Sequence, residues 1–156
     1  MIAVYKGNKY KFISNRRRKG IITRCVQKID DSFLKENTIY YKSIDEKDLS
    51  DMYIVEFFAF FDTGFEGVSP WWKVTEADLM DDKVKLRFTE GILPNWSIEE
   101  KNVCTREINY EEISCAKVKF TFKKINGEEV NILVKEETKS WREILKNIKE
   151  YGDSNL

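Results

Sequence analysis

The feature that most constrains the fold is a pair of alternating segments joined by Asn126-Gly127. Their apolar positions are Val118, Phe120, Phe122, Val130, Ile132 and Val134. Alternation with a period of two is typical of a strand with one buried face, and Asn-Gly readily adopts the positive φ angles of a type I′ turn. The pattern therefore predicts a β-hairpin from Val118 to Val134.

A helix is predicted directly after this hairpin, beginning at about Ser140. Ser140 and Glu143 have the spacing of a capping box, in which each residue satisfies a free backbone N–H of the other. Apolar residues then recur at helical spacing, at Trp141, Ile144, Leu145, Ile148 and Tyr151. Gly152 is suited to end the helix, and we expect Trp141 to pin it onto a sheet.

Most of the remaining chain also has strand patterns. Residues 2–12 form a second hairpin pattern around Gly7-Asn8. The segment Tyr53–Phe61 is apolar on both faces apart from Glu56, which predicts a central strand covered on both sides. Further strands are predicted at Ile21–Ile29, Thr38–Lys42 and Val84–Phe88. Residues 98–115 fit the helical and the strand templates about equally well, so the sequence does not decide between helix and strand there.

The composition is that of one globular domain. The chain has 156 residues, of which 42% are apolar and 35% charged, and no repeat or linker-like segment divides it. We therefore expect a single domain over residues 1–156. Short strands followed by one helix predict an α+β fold, in which a largely antiparallel β-sheet carries a C-terminal α-helix. A partly closed barrel is the alternative.

Three observations bear on location. Met1 runs directly into an alternating segment without the order of a signal peptide, and the longest apolar run, Met52–Phe61, is about half of a membrane span. Cys25, Cys104 and Cys115 are widely spaced and odd in number, which suits reduced thiols. These features predict a cytoplasmic protein that does not enter a membrane.

The absence of histidine narrows the chemistry. It removes the commonest general base, the usual zinc ligand and the Ser-His and Cys-His nucleophile arrangements. Neither of the two common glycine-rich nucleotide-binding loops occurs. Paired acids at Asp81-Asp82, Glu99-Glu100 and Glu111-Glu112 leave a carboxylate enzyme as an alternative, but neighbours in sequence do not face each other. We expect no catalytic residue, no metal and no cofactor.

Protein binding is the function class that these features favour. Residues 29–115 carry nine basic and twenty acidic side chains, a net charge of −11, and two Gly- and Pro-containing segments there carry tryptophans. We expect these segments to be surface loops, whose tryptophans form either a lid on the core or a recognition surface. The candidate partner-binding residues are Asp62, Glu66, Trp71, Trp72, Asp78, Asp81, Asp82 and Trp96.

An acidic surface with aromatic anchors suits a basic partner. The sequence thus favours a non-enzymatic, immunity-type inhibitor that binds and neutralises a cognate bacterial toxin, with a nuclease as one candidate. The alternative is a nucleic-acid-binding module that uses the basic segment Arg16, Arg17, Arg18 and Lys19. Glu56 is a further candidate, because a carboxylate in so apolar a segment must face a cavity, a basic partner or solvent.

Overall fold

The computed structural model describes residues 1–24, 30–123 and 133–151. These residues form twelve strands and one α-helix. The strands are β1 (Ile2–Tyr5), β2 (Asn8–Ser14), β3 (Lys19–Thr23), β4 (Leu34–Glu36), β5 (Ile39–Ser43), β6 (Asp51–Phe60), β7 (Trp71–Val74), β8 (Lys83–Phe88), β9 (Ser97–Glu100), β10 (Val103–Asn109), β11 (Ala116–Phe122) and β12 (Leu133–Lys139). The helix α1 is Trp141–Tyr151.

The predicted fold class is confirmed. Strands make up 51% of the structure, the sheets are mostly antiparallel, and the C-terminal helix packs on them. Within the described residues the main sheet is not closed into a barrel. Its strand order is β12-β11-β6-β1-β2-β3-β5-β4, with β7 also paired to β6, and a second sheet has the order β8-β10-β9. No helix among the described residues is long and apolar enough to cross a membrane.

The chain forms two compact units. Unit 1 consists of Met1–Val55, Lys119–Glu136 and Lys149–Leu156, and unit 2 of Glu56–Val118 and Glu137–Ile148. The strands β6, β11 and β12 and the helix α1 each contribute residues to both units. The single domain over residues 1–156 stays a prediction.

In unit 1, strands β1 and β2 form the predicted amino-terminal hairpin, but its turn is one residue earlier than expected. Tyr5 faces Asn8 in the register, so the two turn residues are Lys6 and Gly7, which have φ angles of 48° and 78°. Two successive positive φ angles define a type I′ turn, whose twist matches that of the flanking strands.

Strands β3 and β5 of unit 1 approach each other closely at Gly20. A Cβ atom on Gly20 would lie 2.2 Å from the carbonyl oxygen of Lys42, so only glycine fits there. The buried cluster beside these strands consists of Ala3, Tyr10, Phe12, Ile21, Phe33, Ile44, Leu49 and Met52. Residues 25–29, the second half of the strand predicted at Ile21–Ile29, lie outside the described residues.

In unit 2, side chains on β6, β7 and β11 alternate cleanly between a buried and an outward position. The buried residues are Phe57, Ala59, Trp72, Val74, Ala116 and Val118. The residues of the opposite parity are half-buried or exposed, and we call them the outward face: Glu56, Phe58, Phe60, Trp71, Lys73 and Lys117. The prediction that the Tyr53–Phe61 strand is covered on both sides is therefore wrong over its second half.

Residues 98–115 form strands rather than a helix. They contain most of β9, all of β10 and a short 3-10 turn at Tyr110–Glu112. Asn102 makes the turn between β9 and β10 with a φ of 62°, a value that asparagine tolerates better than most residues. The two strands pair in antiparallel register with a bulge between Val103 and Cys104.

The predicted capping box and helix are confirmed, whereas the hairpin is described only in part and Gly152 lies outside the described residues. Val134, predicted on the buried side of the hairpin, is 47% exposed. Strands β11 and β12 are neighbours in the sheet, whereas the Asn126-Gly127 turn lies outside the described residues. The Glu143 Oε2 atom accepts a hydrogen bond from the Ser140 N–H at 3.0 Å, and Ser140 Oγ accepts one from the Glu143 N–H at 3.3 Å. The buried stripe of α1 consists of Trp141, Ile144 and Ile148.

Candidate binding surfaces

Trp72 and Trp96 belong to the core of unit 2. Their relative exposures are 5% and 6%, and their ring centroids lie 5.1 Å apart. The Trp72 indole N–H donates a hydrogen bond to the carbonyl oxygen of Phe61 at 2.8 Å. Their assignment to a recognition surface needs correction, because rings so deeply buried do not reach a partner.

Trp71 and Trp72 lie in strand β7, so their expected position in a loop is also wrong. Neighbouring residues of a strand point to opposite sides, which turns Trp72 inward and leaves Trp71 half-buried on the outward face. The loop itself, between β6 and β7, contains Asp62 and Glu66, both exposed. Asp62 Oδ1 accepts a hydrogen bond from the Gly64 N–H at 2.8 Å and thereby stabilises the turn.

Asp78 has a structural task. Its Oδ2 atom accepts hydrogen bonds from the N–H of Thr75 at 2.8 Å and from the Thr75 hydroxyl at 2.7 Å. These two residues form a capping box on the 3-10 turn Glu76–Asp78. The Thr75–Asp78 spacing that the sequence contains is thus used for backbone capping.

Asp81 and Asp82 are exposed and lie beside Tyr110. The Tyr110 N–H donates a hydrogen bond to the carbonyl oxygen of Asp82 at 3.0 Å, and the Tyr110 hydroxyl donates one to the carbonyl oxygen of Met80. Burial raises the pKa of Tyr110, and the negative charges of Asp81 and Asp82 raise it further. The phenol therefore stays protonated and half-buried in an acidic surrounding.

Other exposed residues extend this site. Met80 is 46% exposed, and Glu111 and Glu112 are exposed directly after Tyr110. The ring of Tyr110 packs edge-on against Trp141 at 5.6 Å, which fixes its position. We define the acidic Tyr110 surface as Met80, Asp81, Asp82, Tyr110, Glu111 and Glu112. Sequence reasoning missed Tyr110, although its position directly before Glu111 and Glu112 was a usable signal.

The basic segment forms the turn between β2 and β3. Asn15 Oδ1 accepts hydrogen bonds at 2.9 Å from the N–H groups of Arg17 and Arg18. The Arg18 guanidinium forms an ion pair with Glu36, and the Lys19 ammonium lies 3.2 Å from a carboxylate oxygen of Glu46. Arg16 and Arg17 are exposed and have no ion pair with the described residues, so half of the cluster is already neutralised.

Glu56 is held by a lysine. Its carboxylate accepts a hydrogen bond from the Lys73 ammonium at 2.7 Å, and the two side chains are 24% and 58% exposed. This partner lies on the adjacent strand β7. Glu56, which lies among apolar residues in the sequence, thus forms an ion pair on the outward face.

Unit 1 contains a polar recess that the sequence did not indicate. The Lys42 ammonium donates a hydrogen bond to the Tyr5 hydroxyl at 2.7 Å and lies 3.8 Å from an oxygen of Asp30. This hydrogen bond, with the positive charge of Lys42, lowers the pKa of Tyr5. The recess has a volume of about 480 Å³ and is lined by Tyr5, Lys42, Ser43, Ile44, Asp45 and Asp48. With its pKa lowered by Lys42, the Tyr5 hydroxyl is suited to donate a hydrogen bond or a proton to an oxygen atom of a ligand in the recess.

The described residues contain no group of three or more cysteine, aspartate or glutamate side chains arranged to hold a metal ion. Cys104 is buried and Cys115 half-buried, and Cys25 lies outside the described residues. Comparison with protein-family models gave no match, and neither the curated proteins nor the solved structures contain a significantly similar chain.

Proposed function

We propose that the protein is a non-enzymatic binding module that captures a basic protein partner through the acidic Tyr110 surface. One observation carries the proposal: a half-buried tyrosine fixed on Trp141 is flanked by exposed carboxylates and an exposed methionine. Tyrosine is frequent at the hot spots of protein interfaces, and complementary charge speeds the capture of a partner.

The partner class that fits is a cognate bacterial toxin, such as a nuclease. An enzyme that acts on nucleic acid needs a positive cleft for phosphates, and a cluster of exposed carboxylates can occupy such a cleft. The net charge of −11 over residues 29–115 supports this choice, since it would steer a basic protein toward the chain. The protein would then act as an immunity-type inhibitor.

The test is co-expression with the toxin-like product of a neighbouring gene. We expect a stoichiometric complex and loss of toxicity. Reversing Asp81 and Asp82 to lysine should weaken the complex at least about 30-fold, the effect of removing one strong hot spot. The matched control reverses Asp62 and Glu66, two exposed acids on another loop, and should leave binding within a few-fold.

Two results would contradict the proposal. A toxin-like neighbour that forms no complex removes the inhibitor class. A complex that survives the reversal of Asp81 and Asp82 but is lost in the Asp62 and Glu66 control removes the acidic Tyr110 surface. Folding of both variants is checked by circular dichroism. We expect unchanged spectra, because exposed charge reversals leave the core untouched.

Nucleic-acid binding at the basic turn is a second candidate, which the exposure of Arg16 and Arg17 favours. Two free guanidinium groups give a weak, strongly salt-dependent contact with phosphates. Replacing both arginines with serine should abolish retention of RNA or DNA at low ionic strength. Retention unchanged by this double substitution would exclude the turn.

A further inference from the structure

The outward face of unit 2 carries three aromatic rings where a sheet exposed to solvent ordinarily carries polar residues. Phe58 and Phe60 lie on β6, Trp71 lies on β7, and all three are half-buried. The rings of Phe60 and Trp71 meet edge to face with centroids 5.1 Å apart and an interplanar angle of 80°. These rings are not part of the core of unit 2, which is filled by the residues that alternate with them along the strands, such as Phe57, Ala59 and Trp72.

Two lysines flank the rings. Lys73 faces Phe58 in the antiparallel register of β6 and β7. The Lys117 ammonium lies 4.5 Å from the ring centroid of Trp71 and 5.4 Å from that of Phe58. The position of Lys117 agrees with the hydrogen bond from the Phe60 N–H to the carbonyl oxygen of Cys115 at 2.9 Å, which sets the antiparallel register of β6 and β11. Cations and rings therefore alternate across three adjacent strands.

A recess of about 380 Å³ adjoins this face and shares Trp71 and Lys73 with it. Phe88, Arg87 and Glu90 line its other side, with the loop residues Gly67, Val68 and Ser69. Its volume is within the range of small-ligand sites, which begins at about 300 Å³. The recess thus offers an aromatic wall and two cationic side chains to a planar, negatively charged group.

We propose that the outward face binds single-stranded nucleic acid. Bases would stack on Phe58, Phe60 and Trp71, phosphates would lie against Lys73 and Lys117, and one base would enter the recess beside Trp71. Rings interleaved with cations are what unpaired strands require, because every base has a stacking surface and every nucleotide one charge. This proposal goes beyond the protein partner proposed above and uses none of the residues of the acidic Tyr110 surface.

The rings of Phe58, Phe60 and Trp71, rather than the net charge, decide between nucleic acid and an acidic protein as the occupant. Glu56, bound to Lys73 at 2.7 Å, and Glu90 at the recess place two carboxylates at this surface. The Arg87 guanidinium lies 3.3 Å from an oxygen of Glu99. The three cations Lys73, Lys117 and Arg87 are matched by the three carboxylates Glu56, Glu90 and Glu99, so these charges cancel and stacking must supply most of the binding. Stacking favours bases over a carboxylate-rich peptide.

The experiment measures the fluorescence anisotropy of labelled oligouridylate and oligothymidylate, about twelve nucleotides long. We expect saturable binding at low ionic strength, with weaker binding to a duplex of equal length. Truncation of Phe58 or Phe60 to alanine should weaken binding about 5- to 150-fold, the range for one stacked base. Phe58→Tyr keeps the ring and should retain binding, which separates stacking from a merely structural role.

The lysines are tested by salt. Lys73→Gln and Lys117→Gln should each reduce the slope of log affinity against log salt by about 0.7, the value for one phosphate contact on a single strand. The matched control is Lys101→Gln, at an exposed lysine of the turn between β9 and β10, and should leave affinity within about twofold.

Four results would overturn the proposal. They are the absence of saturable binding to both strands at low ionic strength, affinity unchanged by ring truncation, and competition by polyglutamate as effective as that by the unlabelled strand. The fourth is self-association of the chain that ring truncation dissolves, since the face would then be covered by a second copy.

Discussion

The Lys42 ammonium both donates a hydrogen bond to the Tyr5 hydroxyl at 2.7 Å and lies 4.5 Å from the centroid of the same ring. The side chain of Lys42 is only 15% exposed, and Tyr5 is half-buried. The positive charge favours the phenolate, and the pKa of Tyr5 is lowered accordingly. Lys6 adds to the effect from the neighbouring turn position.

Replacing Lys42 with methionine should raise the pKa of Tyr5 toward that of an ordinary tyrosine, because the cation that stabilises the phenolate is gone. The measurement is an ultraviolet titration of tyrosinate absorbance, in which the Tyr5→Phe variant identifies the Tyr5 transition. Lys35→Met is the matched control, since the Lys35 ammonium lies over a different ring, that of Tyr40. A Tyr5 transition that stays in place in the Lys42 variant would contradict the assignment.

Asp30 should make stability depend on acid pH. Its carboxylate accepts hydrogen bonds from the side chain and the backbone N–H of Ser32 and from Lys6 at 3.0 Å, which hold its pKa well below its usual range. The folded pKa is lower than the unfolded one. The stabilisation is therefore complete above the unfolded pKa, and is lost as pH falls below about 4 toward the folded pKa.

The measurement compares urea unfolding midpoints of the wild type and of Asp30→Asn. We expect the wild type to be more stable at neutral pH and the difference to shrink at about pH 3. Asp31→Asn, a change at the adjacent exposed aspartate, is the control and should give no such trend. A difference between wild type and Asp30→Asn that grows on acidification would have the wrong sign for this mechanism.

Trp72 and Trp96 offer a matched pair in one core. The Trp72 indole N–H is bonded to the Phe61 carbonyl oxygen, whereas the buried Trp96 indole N–H has no acceptor among the described residues. Substitution by phenylalanine removes similar apolar area from both, but only at Trp72 does it also break a hydrogen bond. Trp72→Phe should therefore reduce the free energy of unfolding by about 1 kcal/mol more than Trp96→Phe does. The measurement is denaturant unfolding of both variants. If Trp96→Phe lost as much free energy of unfolding as Trp72→Phe, or more, the hydrogen bond of Trp72 would be excluded as a source of stability.

The Glu56–Lys73 ion pair should contribute little to stability. Because Lys73 is 58% exposed, solvent screens the attraction, and a double-mutant cycle of Glu56→Gln with Lys73→Gln should give a coupling of about 0.2 to 1 kcal/mol. The coupling should fall further at high salt. A coupling of several kcal/mol would mean that the carboxylate is far less hydrated than its exposed fraction indicates.

Local patterns predicted the elements well. Ser140 and Glu143 fix the start of α1 through a contact three residues apart, and Tyr53–Phe61 is a central strand because its apolar run exceeds what an edge strand tolerates. The turn between β1 and β2 was displaced by one residue, since both Gly7-Asn8 and Lys6-Gly7 supply a residue suited to positive φ.

The sites depend on pairings that the sequence does not contain. Trp71 and Trp72 were expected in a loop together, and only the register of β7 against β6 assigns them to opposite sides. Tyr5 and Lys42 are 37 residues apart in the sequence, so no local sequence pattern predicts the hydrogen bond between them. Tyr110 was in reach of sequence reasoning because it directly precedes Glu111-Glu112, whereas only the pairing of β8 with β10 brings Asp81 and Asp82 beside it.

The alternation in the second half of β6, from Glu56 to Phe60, restricts how the length of this strand can vary. Inserting or deleting one residue between Glu56 and Phe60 would exchange every side chain beyond it between the core and the outward face. A lysine-flanked aromatic surface and the packing beneath it would be lost in the same event. The aromatic outward face and the core packing can both be kept only if the length changes by two residues or changes outside the paired region. A change in length that alters one of them therefore alters the other as well.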